Sequence, residues 1–413
     1  MRIFIIIFIS LFFTKGYANN MELSGIDISQ FNQGFKPQDS FYDYVNHNWL
    51  SETEIPDDQI GWGSYMTLRE ESLQNQNTLI DALIKNKDNL IKSSEEEKIA
   101  NLYLSYTNRN LVNKLGSAPL KDDIKKINDI MTTEDLWEYF SESVKKGISS
   151  PIYFAVYDDL KDPLNYTIYF GQSGLGLPDR DYYLLDQPHY IKGREEYPKH
   201  LSNLFDLSGL DNGKKRASNA FDVEKELAKI QISRTERRDP EKTYNPMNGV
   251  DLDGISDAKF NIWLKSLAIE YFDRYIIESP KYLTDLSNLI DEYPLDKWKD
   301  YLLARLVKSA SGSLSDDFVD ESYRFSSILT GREETPALWK RSVGFVNGLL
   351  GDALGKIYVK HHFPPEYKQR MVELIDNLLE SFRIGIEDLE WMSKETKEKA
   401  LIKLEKLNVK IGY

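Results

Sequence analysis

Apolar side chains recur three and four residues apart along most of this 413-residue sequence. That spacing matches the turn of an α-helix, and a chain that keeps it over segment after segment must bury one stripe of each helix against its neighbours. Leu73, Leu79, Ile80, Leu83 and Ile84 form one stripe. Ile99, Leu102, Tyr103 and Tyr106 form a second, behind Glu95-Glu96-Glu97, whose negative charge suits a helix N-terminus. The pattern returns in Ile124, Ile127 and Ile130, in Phe221, Leu227 and Ile230, and in Trp298, Tyr301, Leu302 and Leu306. Pro364-Pro365 opens a long helix, proline being well placed at a first helical position. Met371, Leu374, Ile375, Leu378, Leu379, Phe382, Ile386 and Leu389 line one of its faces. Ser393 reads as the N-cap of a final helix, with Glu395 in its first turn and Leu401, Leu404 and Leu407 along it.

One stretch departs from this period. Ile152-Tyr153-Phe154-Ala155-Val156-Tyr157 and Tyr166-Thr167-Ile168-Tyr169-Phe170 are rich in β-branched and aromatic residues, and Asp158 to Asn165, with Pro163, reads as the turn between them. The expected fold is mainly α: a multi-helix lobe with a minor β-hairpin near 152–170.

The N-terminus reads as an export signal. Met1-Arg2 is followed by an apolar run from Ile3 to Phe13, then by the small-x-small pattern Gly16-Tyr17-Ala18. Residues 1–18 are expected to act as a signal peptide, cleaved near Ala18 or retained as an anchor, with a polar lead-in over 19–36. There is no cysteine, which excludes disulfides, a thiolate nucleophile and a Cys-ligated metal. An exported chain of this size without disulfides fits a bacterial envelope, periplasmic or extracellular. With 66 acidic against 52 basic residues the net charge is −14, which opposes binding to nucleic acid.

Few residues carry a pattern that chemistry would need. The five histidines are His47, His189, His200, His361 and His362, and none sits in HExxH or its inverse, the spacing that turns two imidazoles to one side of a helix. Gly171-Gln172-Ser173-Gly174-Leu175 approaches a nucleophile elbow but lacks its last glycine and the alternating βα context. Gly174 and Gly176 begin a dinucleotide-type pattern that Asp179 ends, so a loop turn is the plainer reading. Arg234, Arg237 and Arg238 could meet a substrate carboxylate or pair with acidic neighbours.

Several segments, in order, resemble the N-terminal domain of the neprilysin and endothelin-converting-enzyme family of zinc metallopeptidases. They are Pro37 to Leu50 with Ile55-Pro56, Gly63 to Glu70, Ala118-Pro119-Leu120, and Leu175-Gly176-Leu177-Pro178-Asp179-Arg180-Asp181-Tyr182-Tyr183. Tyr244-Asn245-Pro246-Met247, Trp339-Lys340-Arg341, Leu354 to Val359, and Trp391 through Tyr413 complete the series. The resemblance implies that residues 37–413 form a cap that encloses small peptides. It places the HExxH helix, the ExxxD helix and the Asn-Ala strand beyond Tyr413. No catalytic or metal-ligating residue is therefore carried over to this chain, and zinc is implied only for the catalytic domain. The family also has two arginines, eight residues apart, that face the C-terminal side of the substrate. Arg69 matches the second and Gly61 stands at the first, so Arg69 is the one candidate substrate-binding residue, its other reading being a helix-surface ion pair. The expected function is the substrate-enclosing part of a zinc metalloendopeptidase, inactive alone and completed by a separate or missing C-terminal zinc domain. The alternative is a non-enzymatic peptide-binding protein derived from the family.

Overall fold

A computed structural model of the chain describes residues 28–256, 259–269 and 274–413. The apolar run Ile3 to Phe13 and the small-x-small pattern lie outside these residues. The chain divides into two units, Met1–Pro56 and Asp57–Tyr413. In the first, Ser40 caps the helix Phe41–Glu52 by accepting from the Asp43 amide. Residues 28–36, expected as a polar lead-in, carry a 3-10 turn and pack Phe31 against Tyr44 and Phe35 against His47.

The second unit is mainly helical, as the spacing predicts. Its larger core runs from Leu120 to Phe325 and is built around Trp137, Phe140, Phe205, Trp263, Trp298 and Tyr301, all fully buried. Helices Pro188–Leu207, Gly213–Ile230 and Leu295–Ala310 carry much of it. Ser94 caps Glu95–Thr107 and Thr132 caps Thr133–Lys145, so the orphan amides of both first turns have side-chain acceptors. A smaller core joins Ile80, Ile99 and Tyr103 to Val343, Val346 and Leu354, bringing together helices Ser64–Lys85, Glu95–Thr107 and Leu338–His362.

The hairpin is present and longer than its sequence suggests. Strand β1 (Ile152–Asp159) pairs antiparallel with β2 (Asp162–Gln172) across a two-residue turn. The register jumps between Asp158 and Asp159, leaving Pro163 to Asn165 without partners, which is where a residue lacking an amide hydrogen is tolerated. Two further strands, β3 (Asn245–Met247) and β4 (Tyr275–Ile277), complete a sheet of order β1-β2-β4-β3, with β2 and β4 parallel. Each is three residues long, too short for alternation to show in sequence.

Helices Pro365–Asp388 and Lys394–Glu405 form where the prolines and Ser393 place them. Neither contains a buried residue. The apolar face read from Met371 onward is thus real but open: Leu374, Leu378 and Phe382 are all exposed, Phe382 by 62%. Among the described residues no helix is long and apolar enough to cross a membrane.

Candidate functional site

Arg69 stands on the second turn of helix Ser64–Lys85, and the surroundings fix that helix firmly. Lys340 donates to Asp58 (2.8 Å) and pairs with Glu70 (2.7 Å), clamping the start of the helix to Leu338–His362. The amides of Glu333 and Glu334 both donate to the Asp57 carbonyl. Further along, Asn347 donates to Gln76 and the Tyr103 hydroxyl to Asn77. Arg69 takes no part in this. It is exposed, with no ion pair among the described residues, and shares its open face with Tyr65 and Leu68, exposed by 79% and 63%. The helix-surface ion pair belongs to its neighbour Glu70. At Gly61 an added Cβ would meet nothing within 4 Å, so the glycine there is not imposed by close packing at that atom.

The histidines are scattered and occupied otherwise. His200 is buried, stacks on Phe325 and sits 2.8 Å from Glu321. Burial holds its pKa below the usual imidazole value. Burial also raises the Glu321 carboxyl, but hydrogen bonds from His200, Arg324 and Asn203 outweigh it and bring the pKa to about 2. His189 packs on Tyr182 and Tyr190, His47 on Phe35, and His361 and His362 close a helix. Among the described residues no three metal-capable side chains gather in one place.

The segment that resembled a nucleophile elbow is instead the floor of a cavity of about 560 Å³. Gly174 adopts φ +89°, and any Cβ there would press on the Tyr301 hydroxyl and Pro151. At Gly176 a Cβ would overlap the Tyr197 hydroxyl. Both glycines are therefore required by close packing. Beneath the loop lies Glu224, fully buried. It accepts from Tyr183 (2.5 Å), Tyr197 (2.9 Å), Arg305 (3.2 Å) and the Gly176 amide (3.1 Å). Burial first, and then the charge of Glu224, push both tyrosine hydroxyls far above their usual range, so both remain donors. Gln172 exchanges two hydrogen bonds with the Ile232 backbone, and Gln231 donates to the Ser173 carbonyl. This lattice sets Arg180, Arg234 and Arg237 around the opening, beside Tyr153.

Residues 37–413 match the model of peptidase family M13. The chain belongs to peptidase family M13. Within that family it corresponds to the N-terminal domain of the neprilysin and endothelin-converting-enzyme type, a group of zinc metalloendopeptidases. It is 28% identical to the neutral endopeptidase of Lactobacillus helveticus, over 94% of this chain and 60% of that protein. It is also 28% identical to bovine endothelin-converting enzyme 1, over 91% of this chain and 51% of that protein. The zinc metalloprotease Zmp1 of Mycobacterium tuberculosis, solved with an inhibitor, superposes with a TM-score of 0.86 at 29% identity, covering 92% of this chain and 58% of the other. The M13 chain thus spans about half to three-fifths of the length of these relatives. Its described residues bring no three zinc-binding side chains together.

The sequence motifs point to the M13 family, to which the chain belongs. They miss the cavity, because Arg180 lies more than fifty residues before Arg234 and only the fold joins them. The signal is divided between the Leu175–Tyr183 motif and the arginine cluster, which lie far apart in sequence. Of that cluster Arg237 does pair with an acid, Glu278, whereas Arg238 does not line the opening.

Proposed function

We propose that residues 37–413 are the substrate-enclosing part of a zinc metalloendopeptidase acting on small peptides, with the zinc and its ligands supplied by a catalytic part. The single observation that carries this is the open apolar face of helix Pro365–Asp388. An exposed stripe of Leu374, Leu378 and Phe382 is what a helix keeps when another body covers it. Arg69, uncommitted on a fixed helix beside Tyr65 and Leu68, is the substrate contact. Its guanidinium suits a peptide carboxylate. Enclosure serves such chemistry by excluding water and by admitting short peptides only. Export to a bacterial envelope, directed by residues 1–18, completes the reading.

The purified 413-residue chain is expected to hold no stoichiometric zinc and to cleave no peptide, whereas addition of an M13 zinc domain should give a complex and chelator-sensitive cleavage. In that complex Arg69→Gln should raise KM about tenfold for peptides with a free C-terminus, consistent with the loss of one charged hydrogen-bonding partner. Zinc at unit stoichiometry with cleavage by the chain alone would overturn the proposal. A second reading, a peptide-binding protein that does no catalysis, is favoured by the ready-built cavity. Peptide binding without any stable complex with a zinc domain would select it.

A further inference from the structure

We propose that the cavity between strand β1 and the 174–180 loop is a second recognition site, which takes a carboxylate carried by an extended peptide. The inference rests on the reading above only for the choice of a peptide as bearer of the carboxylate. The site is separate from Arg69, which does not line it.

Charge is the first argument. The protein carries a net −14, yet three guanidinium groups, those of Arg180, Arg234 and Arg237, line one opening. The nearby acids are already committed. Glu278 pairs with Arg237 (2.6 Å) and accepts from the Gln172 amide. Asp179 accepts from the Asp181 amide, and Glu236 from the Ser233 amide and hydroxyl. Arg180 and Arg234 form no ion pair among the described residues, and the Arg180 Nε is buried without a hydrogen-bond partner. Such guanidinium groups offer an incoming carboxylate the paired, fork-shaped hydrogen bonding they favour. In an acidic protein such an opening also concentrates anionic ligands against the surrounding field.

Shape is the second. Tyr153, Leu175, Leu177 and Pro178 give the cavity an apolar wall beside its cations. Tyr153 lies on β1, an edge strand of the sheet, whose strand partner among the described residues is β2 alone. A free strand edge accepts an extended chain by backbone hydrogen bonding, with side chains chosen by adjoining pockets. A peptide lying along β1 would place one side chain, or its own terminus, in the arginine cavity. The floor is held by Glu224 and the two glutamines, so the site exists before the ligand arrives and little ordering is needed on binding.

The test is peptide binding to the intact 413-residue chain, followed by fluorescence anisotropy. Three labelled peptides of equal length are compared: one amidated with an Asp or Glu side chain, one with a free C-terminus and neutral side chains, and one amidated and neutral. The expected result is that one or both carboxylate peptides bind at least tenfold tighter than the neutral one, their order showing which carboxylate the site takes. Arg234→Gln, at an exposed position with no ion pair among the described residues, should weaken that binding about tenfold, with Arg234→Lys intermediate because it keeps the charge and loses the fork. Thermal unfolding of both variants should match the parent chain. Equal binding of all three peptides, no binding of any, or unchanged affinity in Arg234→Gln overturns the inference. Loss of binding in Arg69→Gln but not in Arg234→Gln also overturns it and leaves the peptidase reading intact. That reading is judged independently by reconstitution with a zinc domain.

Discussion

Glu224 shows how much a single buried carboxylate can hold. It accepts from two tyrosines, one arginine and one loop amide in a space from which water is excluded. Glu224→Gln removes the charge that offsets Arg305, and breaking one side of a buried pair costs about 3–5 kcal/mol. Urea unfolding should show that loss as a lower midpoint. His200 gives a pH signature. Its folded pKa lies below its unfolded value, so the unfolded chain binds protons first as pH falls through the ordinary imidazole range. The contribution is complete above that range and is lost below it. Glu321, with a folded pKa of about 2, acts in the same direction lower down: its stabilisation is present above the ordinary carboxylate pKa and lost toward pH 2. The melting temperature should therefore fall between pH 7 and pH 5, and His200→Gln should flatten that part of the curve. A melting temperature that rises on acidification, or an unchanged slope in the variant, would contradict this assignment.

At the scale of elements, the period of apolar residues located the helices well because a buried stripe is a local pattern with a local cause. Ile80, Leu83 and Ile84, or Trp298, Tyr301 and Leu302, announce their helices without reference to anything distant. The same pattern does not say what a stripe packs against. Met371 to Leu389 reads as a core face yet remains open, because sequence cannot distinguish a stripe covered by its own domain from one kept for another body. Short strands and assembled sites were illegible for the opposite reason. Tyr275–Ile277 is a strand only because β2 lies beside it, and Arg180 meets Arg234 only through the Gln172 and Gln231 lattice. The candidacy of Arg69 rests on a motif that is local. The open stripe makes a direct prediction: Leu374→Glu with Leu378→Glu should leave the free energy of unfolding within about 0.5 kcal/mol of the parent, as exposed substitutions do. The same pair should reduce binding of a hydrophobic dye and block assembly with a zinc domain. A large loss of stability would show that the face is packed within this chain.

For the whole molecule, the smaller core is the informative feature. Ile80, Ile99 and Tyr103 are buried against Val343, Val346 and Leu354, and the larger core does not include them. Deleting residues 338–413 should therefore leave amides of the larger core protected from hydrogen exchange and release those of residues 64–107; continued protection of residues 64–107 would sink the idea. The same pairing bears on time. During synthesis at roughly 5–20 residues per second, Ile80 leaves the ribosome about a quarter of a minute to a minute before its partners exist. Through that interval its helix can meet only Glu95–Thr107 and lacks the Leu338–His362 side of its core. A helix made late, Leu338–His362, thus ties off one made early, Ser64–Lys85, and until then the early segment stays a thread.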